Sequence, residues 1–286
     1  MIHAPEGKLN AVQKQLNQIL QQYYWYIKPA EVHGFICAFG NTQNQNNIVS
    51  NARVHASQKQ VLNIDIKDFF PSISAKRIKE LFQSPVFGFN EQISIALALL
   101  STYQGKLPIG APSSPVLSNF ICLELDKKLA EFSAINQLNY TRYADDLTFS
   151  SNSLIDKDSI NRIIEIIHQH HFAINAKKFR LLGKNAQQTV TGITVNEKLN
   201  VNRKLLKNTR AMLHDLSLNG LETATTKHFK LTKEPNSKLK QKFLNRLSGY
   251  INFIGQVRGR EDDIFGRMKN EYFKVVTNIG NSNIIK

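Results

Sequence analysis

Only two cysteines occur in the 286 residues, Cys37 and Cys122. They lie far apart in apolar settings and read as buried free thiols. A disulfide framework and a cysteine zinc site are therefore excluded. No apolar run approaches the ~20 residues needed to span a bilayer. The opening MIHAPEGKLN has neither the basic nor the apolar stretch of a secretory leader. No membrane partner is expected, and the expected location is cytoplasmic. Acidic residues are scarce: 22 Asp+Glu against 37 Lys+Arg leave a net charge of +15. Such an excess favours a polyanionic partner, with nucleic acid ahead of an anionic membrane. It is also uneven, since residues 199–286 hold 17 Lys+Arg and 7 Asp+Glu. A solvated helical surface would account for this, but so concentrated an excess favours a surface that tracks phosphates.

What is present is a mixed pattern without internal repeats. Leu9, Val12, Leu16, Ile19 and Leu20 recur at helical spacing over 8–27, and the helix should stop before Pro29. The polar stretch 40–50 reads as a loop. QVLNIDIKDFF at 60–70 begins as a buried strand with Asp65 near its end. Helices are expected at 74–83 and 91–103, a Pro/Gly-rich loop at 107–115 and a helix at 115–132. Strands at 138–143 and 147–150 flank two adjacent aspartates. Ile160, Ile163, Ile164 and Ile167 form an apolar stripe on the next helix, with Asp158 as its expected cap. Short strands are expected at 172–175, 179–182 and 189–195, then helices at 202–218, 238–257 and 262–277. The order over 60–195 suggests an α+β fold with a split βαβ sheet.

Asp145 and Asp146 alone fit a solvated hairpin turn as well as anything else. Asp65 changes that balance. It is a carboxylate in the apolar run VLNIDI, where an unpaired charge is costly. In a split βαβ sheet its strand can lie beside the hairpin, so that Asp65 faces Asp145 and Asp146. Three converging carboxylates repel one another without a cation. Mg²⁺ resolves the repulsion, and two such ions clamp the attacking and leaving oxygens of a phosphoryl displacement.

At these residues the chain resembles the reverse transcriptases. YADD at 143–146 is similar to their active-site box, and DIKDFFPSI at 65–73 to their first aspartate motif. LPIGAPSSPVLSN at 107–119 and HFAIN with Lys178 resemble the following segments. Any one box is weak, but four in order at suitable spacing are specific. NARVH at 51–55 and VTG at 190–192 are similar to boxes of the bacterial retron type; VHGF at 32–35 and APEGKLNAVQ at 4–13 are also retron-like.

The resemblance implies a right-hand polymerase with a split-βαβ palm, shortened fingers and a helical thumb. Residues 1–60 would be the reduced fingers, 61–199 the palm with finger insertions near 74–115, and 200–286 a basic thumb. Asp65, Asp145 and Asp146 would be catalytic. With the Ile66 carbonyl they would hold two Mg²⁺ ions, with Mn²⁺ as a substitute. Asp68, Phe69, Phe70, Gly110 and Lys178 would bind substrate, Phe70 by excluding a 2′-hydroxyl and so favouring dNTPs. Asn51, Ala52, His55, Val190, Thr191 and Gly192 would recognise a structured non-coding RNA, although a loop Asn, a core His and a strand glycine are the ordinary readings. That RNA would serve as template and primer source for a branched RNA–DNA product, multicopy single-stranded DNA. The product would act with a defence effector protein against phage.

The sequence departs from the family in two places. Members usually carry a further fingers segment ahead of the part matching IHAP, where this chain begins. The alternative expectation is therefore a polymerase-fold RNA-binding scaffold with little or no synthesis. Position 109 is Ile, where some relatives have a glutamine near the nucleotide.

Overall fold

The structure is a computed structural model and describes residues 4–37 and 46–284. The chain divides into two compact units, Met1–Thr191 and Gly192–Lys286. The first contains the stretch assigned above to fingers and most of the palm.

Its centre is an antiparallel sheet of β1 (Gln60–Asp65), β2 (Asn139–Tyr143), β3 (Asp146–Ser151) and β4 (Arg180–Gly183), in the order β2-β3-β1-β4. Successive strand residues point to opposite faces. On one face Leu62, Ile64, Leu147, Phe149 and Tyr140 join the main core. That core is completed by Val116, Leu117 and Phe120 of α6 (Ser114–Ile121), by Leu125 and Leu129 of α7 (Leu123–Ile135), and by Ile163 and Ile167 of α8 (Lys157–Gln169). The other face holds Asn63, Thr148, Thr141 and Ser150. It is covered by α2 (Ile48–Val54) and the segment around β5 (Thr189–Val190). Asn63 donates to the Thr189 carbonyl at 3.1 Å and accepts from the Thr148 hydroxyl at 3.3 Å. The polar face is thus hydrogen-bonded, as a buried one must be.

Several local expectations are corrected. The loop expected over 40–50 lies partly outside the described residues, and from Ile48 the chain is helical. Asn47 caps α2, accepting from Val49 and Ser50, while the Ser50 hydroxyl accepts from the Asn47 N–H. The helix expected at 115–132 is two helices, meeting at Cys122. Asp156, not Asp158, caps α8, accepting from the Ser159 N–H at 2.6 Å. The strand expected at 172–175 is reduced to a single bridge between Ile66 and Ile174. Cys37 is exposed; Cys122 is buried, as expected, and burial pushes its thiol up to about 12. α1 (Gly7–Ile27), α4 (Ala75–Gln83) and α5 (Glu91–Ser101) match their expected positions.

The second unit is helical, with α9 (Arg203–Phe229), α10 (Ser237–Arg258) and α11 (Asp263–Ile284). Met212, Leu216, Phe243, Leu247, Ile254, Phe265 and Met268 are buried there. α9 is broken at Gly220, whose φ of 75° is outside helical space. Asp215 accepts from Lys227 at 2.9 Å and from His228 at 2.7 Å. In a straight helix positions 215 and 227 would lie about 18 Å apart, so the chain folds back at that glycine. No described helix is long and apolar enough to cross a membrane.

Candidate active site

The β1–β3 register sets Asp65 directly opposite Asp146. Opposed residues of an antiparallel pair share a face, and like charges so placed repel. The two-residue loop between β2 and β3 is Ala144–Asp145. Ala144 has a φ of 59°, as at the first loop position of a type II′ hairpin turn, where glycine is favoured. A non-glycine residue held there costs about 1 kcal/mol or more. The Asp145 carbonyl accepts from the Ile66 N–H at 2.9 Å, which joins the turn to the end of β1. Three carboxylates separated by 80 positions thus meet at one end of the sheet.

The local cation is Lys178, in the 3₁₀ turn Ala176–Lys178. Its Nζ lies 2.6 Å from Asp65 Oδ2, with the lysine side chain 58% exposed and the aspartate 7%. Asn175 donates to Asp65 Oδ1 at 3.0 Å, and its N–H donates to the Asp65 carbonyl at 2.8 Å. The Asp65 hydrogen bond raises the lysine pKa, as do the charges of all three carboxylates. Burial raises the Asp145 carboxyl, and Asp65 adds to the rise. Asp146 reaches solvent, yet protein surrounds it on most sides. That partial desolvation, with the charges of Asp145 and Asp65, pushes its carboxyl up to about 6. Among the described residues no three His, Cys, Asp or Glu side chains form a ready metal cluster. In this arrangement the Lys178 ammonium is a positive charge facing the three carboxylates.

Of the expected substrate residues, Phe70 is half-buried, its ring 5.8 Å from Phe35 and 5.4 Å from Phe69. Phe69 is a core residue, 5% exposed and packed on Phe172, so it supports Phe70 from below and offers no surface of its own. Asp68 is exposed in a left-handed conformation. Gly110 is exposed with a φ of 103°, which favours glycine there.

The residues expected to read RNA mostly point inward. Ala52, His55 and Val190 are fully buried and Asn51 nearly so. His55 engages the Ser150 hydroxyl through Nδ1 and the Thr141 hydroxyl through Nε2, both at 2.7 Å. Burial holds its ring neutral, with a pKa of about 3. Both amide atoms of Asn51 are buried without a partner among the described residues. The Thr191 hydroxyl donates to the Ile48 carbonyl at 3.2 Å. Gly192, with a φ of 81°, begins the second unit. Ala52, His55 and Val190 are thus buried, with His55 bonded to the polar face of the sheet, while Gly192 is exposed.

The residues that sequence reasoning missed are Asn175, Arg142, Asp126, Asn119 and Gly34. Asn175 lies inside HFAIN. Arg142 stands in the strand run NYTRY and Asp126 among the charged residues of LELDKK, and neither setting marks the pair.

A family model described as reverse transcriptase (RNA-dependent DNA polymerase) matches residues 1–195. The retron Ec86 reverse transcriptase of Escherichia coli is 38% identical over 61% of this chain and 54% of that protein. The retron Mx65 enzyme of Myxococcus xanthus is 31% identical over 75% and 52%. The retron Ec73 enzyme of E. coli is 29% identical over 98% and 85%. The chain thus spans about half the length of the first two of these relatives. A telomerase from Candida albicans, solved with a fragment of telomeric RNA, superposes with a TM-score of 0.49 at 10% identity, covering 94% of this chain and 55% of that one. With its antiparallel sheet ending in YADD opposite Asp65, the chain belongs to the reverse transcriptase family, and the relatives named above, to which it is similar, are retron enzymes.

Proposed function

We propose that this chain is an RNA-directed DNA polymerase that transfers nucleotides at the 145–146 turn. The observation that carries the reading is the register setting Asp65 against Asp146, with Asp145 beside them and one exposed ammonium among the three. Their carboxylate oxygens are the hard donors that Mg²⁺ or Mn²⁺ take, leaving shell positions for water and phosphate oxygens. Asp65, Asp145 and Asp146, with the Ile66 carbonyl, would hold the ions. When bound, such ions neutralise charge on a transferring phosphoryl group.

The chain's own residues do the rest. The Phe70 ring, backed by Phe69, blocks the space of a 2′-hydroxyl and selects dNTPs. Lys178 leaves Asp65 and meets the triphosphate, since its side chain is mostly in water. The basic second unit holds a template–primer duplex by its phosphates rather than by base edges. The retron relatives support the finer reading: a structured non-coding RNA, copied into a branched RNA–DNA product that works with a defence effector against phage.

Asp145→Asn tests the reading. It should abolish divalent-dependent dNTP incorporation while RNA binding stays within about twofold of wild type. Extension at the wild-type rate by the variant rules out the turn as the reaction centre. A wild-type chain that binds RNA tightly and never extends is the scaffold instead.

A further inference from the structure

Behind the 145–146 turn lies a second set of polar groups, nearly all of it out of solvent. The Arg142 and Asp126 side chains are both 0% exposed. Arg142 donates Nε to Asp126 Oδ1 at 2.8 Å and Nη2 to Oδ2 at 2.7 Å. Nη1 remains, and it donates to Asn119 Oδ1 at 3.0 Å and to the Ala144 carbonyl at 3.2 Å. Asn119 in turn donates to the Gly34 carbonyl at 3.1 Å. Tyr140 adds its hydroxyl to Asp126 Oδ1 at 2.8 Å, and the His33 N–H donates to the Arg142 carbonyl at 2.9 Å. Gly34 lies so close to the turn that a Cβ there would be 2.5 Å from the Ala144 nitrogen.

We propose that Arg142 and Gly34 are positioning residues: together they form a bracket that fixes the left-handed Ala144 turn and so aims the Asp145 and Asp146 carboxylates. The proposal rests on the reading of that turn as the reaction centre. A buried ion pair is a poor source of stability, because an apolar pair of similar volume often does as well. The planar guanidinium supplies something else. It presents donors in a fixed fork, two for the carboxylate and one for the carbonyl of the strained residue. A lysine would keep the charge but has one nitrogen and no such fork. From the other side, Gly34 sets how far back the turn can move.

The experiment compares wild type, Arg142→Lys and Gly34→Ala in the full chain. It measures thermal melting, Mn²⁺ affinity by electron paramagnetic resonance of the free ion, and kcat and KM for a dNTP on an RNA template. Cooperative melting should persist in at least one variant. In that variant Mn²⁺ affinity should fall about tenfold and kcat ten- to a hundredfold, with KM for the dNTP changed less than threefold. Should Arg142→Lys fail to fold, Gly34→Ala reads the same displacement without touching a charge. A folded variant with wild-type Mn²⁺ affinity and wild-type kcat overturns the bracket. Weaker Mn²⁺ binding supports it even if the wild-type chain proves unable to extend a primer. A wild type that neither binds Mn²⁺ nor extends overturns the reading of the site, and the bracket with it.

Discussion

Asp65 and Asp126 are both carboxylates in apolar surroundings, one in front of the YADD turn and one behind it. Asp126 meets a guanidinium as buried as itself, through two parallel bonds. Asp65 meets an ammonium that is 58% exposed, through one. The first pair is permanent, since neither partner can reach water without opening the core. The second is exchangeable, since Lys178 can return to solvent and leave Asp65 to another cation. A buried charge whose partner is replaceable belongs to chemistry, and one whose partner is locked belongs to architecture.

The comparison predicts its largest effect behind the turn. Asp126→Ala strands the Arg142 guanidinium in the core, and breaking such a pair costs about 3–5 kcal/mol. Urea unfolding should show the midpoint collapse, or no folded protein at all. Asp65→Asn, by contrast, should unfold close to wild type while losing synthesis. Equal destabilisation by the two would erase the distinction.

A second effect, next in size, concerns groups on the architectural side that cannot take a charge. His55 stays neutral in the folded chain down to about pH 3, because burial opposes protonation. Unfolded, it takes up a proton near its ordinary value of about 6.5. Its folded pKa is therefore depressed, and the unfolded state binds the extra proton between those limits. Stability present above pH 6.5 is lost as pH falls, at about 1.4 kcal/mol per pH unit for this group. His33, held to about 4 by burial and by the Lys28 charge, acts in the same sense. Denaturant midpoints of wild type and His55→Gln should converge between pH 6.5 and pH 4. Parallel curves would mean that His55 is protonated in the fold.

The front of the turn was legible in the sequence, and the back was not. Asp65 stood out because a charge in VLNIDI needs a reason, and the doublet at 145–146 stood between two strand-like runs. The split βαβ order, which sets the first strand beside the following hairpin, then led to the expectation that they meet. The Arg142–Asp126 pair joins a strand to a helix, and no periodicity within either element announces it. Helix α2 was hidden by its polar approach, although Asn47 and Ser50 form a capping box. The NARVH and VTG segments carried a resemblance to recognition boxes, but burial decides contact, and burial of a polar residue such as His55 depends on Ser150 and Thr141 nearly a hundred positions away. The fold-back at Gly220 needed the Asp215 ion pairs, which are tertiary.

The smallest predicted effect is the sharpest test of exchangeability. Lys178→Met removes the ammonium and leaves Asp65 with its bond from Asn175. The Lys178 side chain is 58% exposed and Asp65 keeps its bond to Asn175, so urea unfolding should shift by less than it does for Asp126→Ala. Divalent binding should respond in the opposite direction. The ammonium competes for the Asp65 oxygen, and its loss should tighten Mn²⁺ binding a few-fold while raising KM for the dNTP, whose triphosphate loses a cation. A stability loss comparable to that of Asp126→Ala, with Mn²⁺ affinity unchanged, would make Lys178 a structural partner like Arg142, and the front of the turn would be as locked as the back.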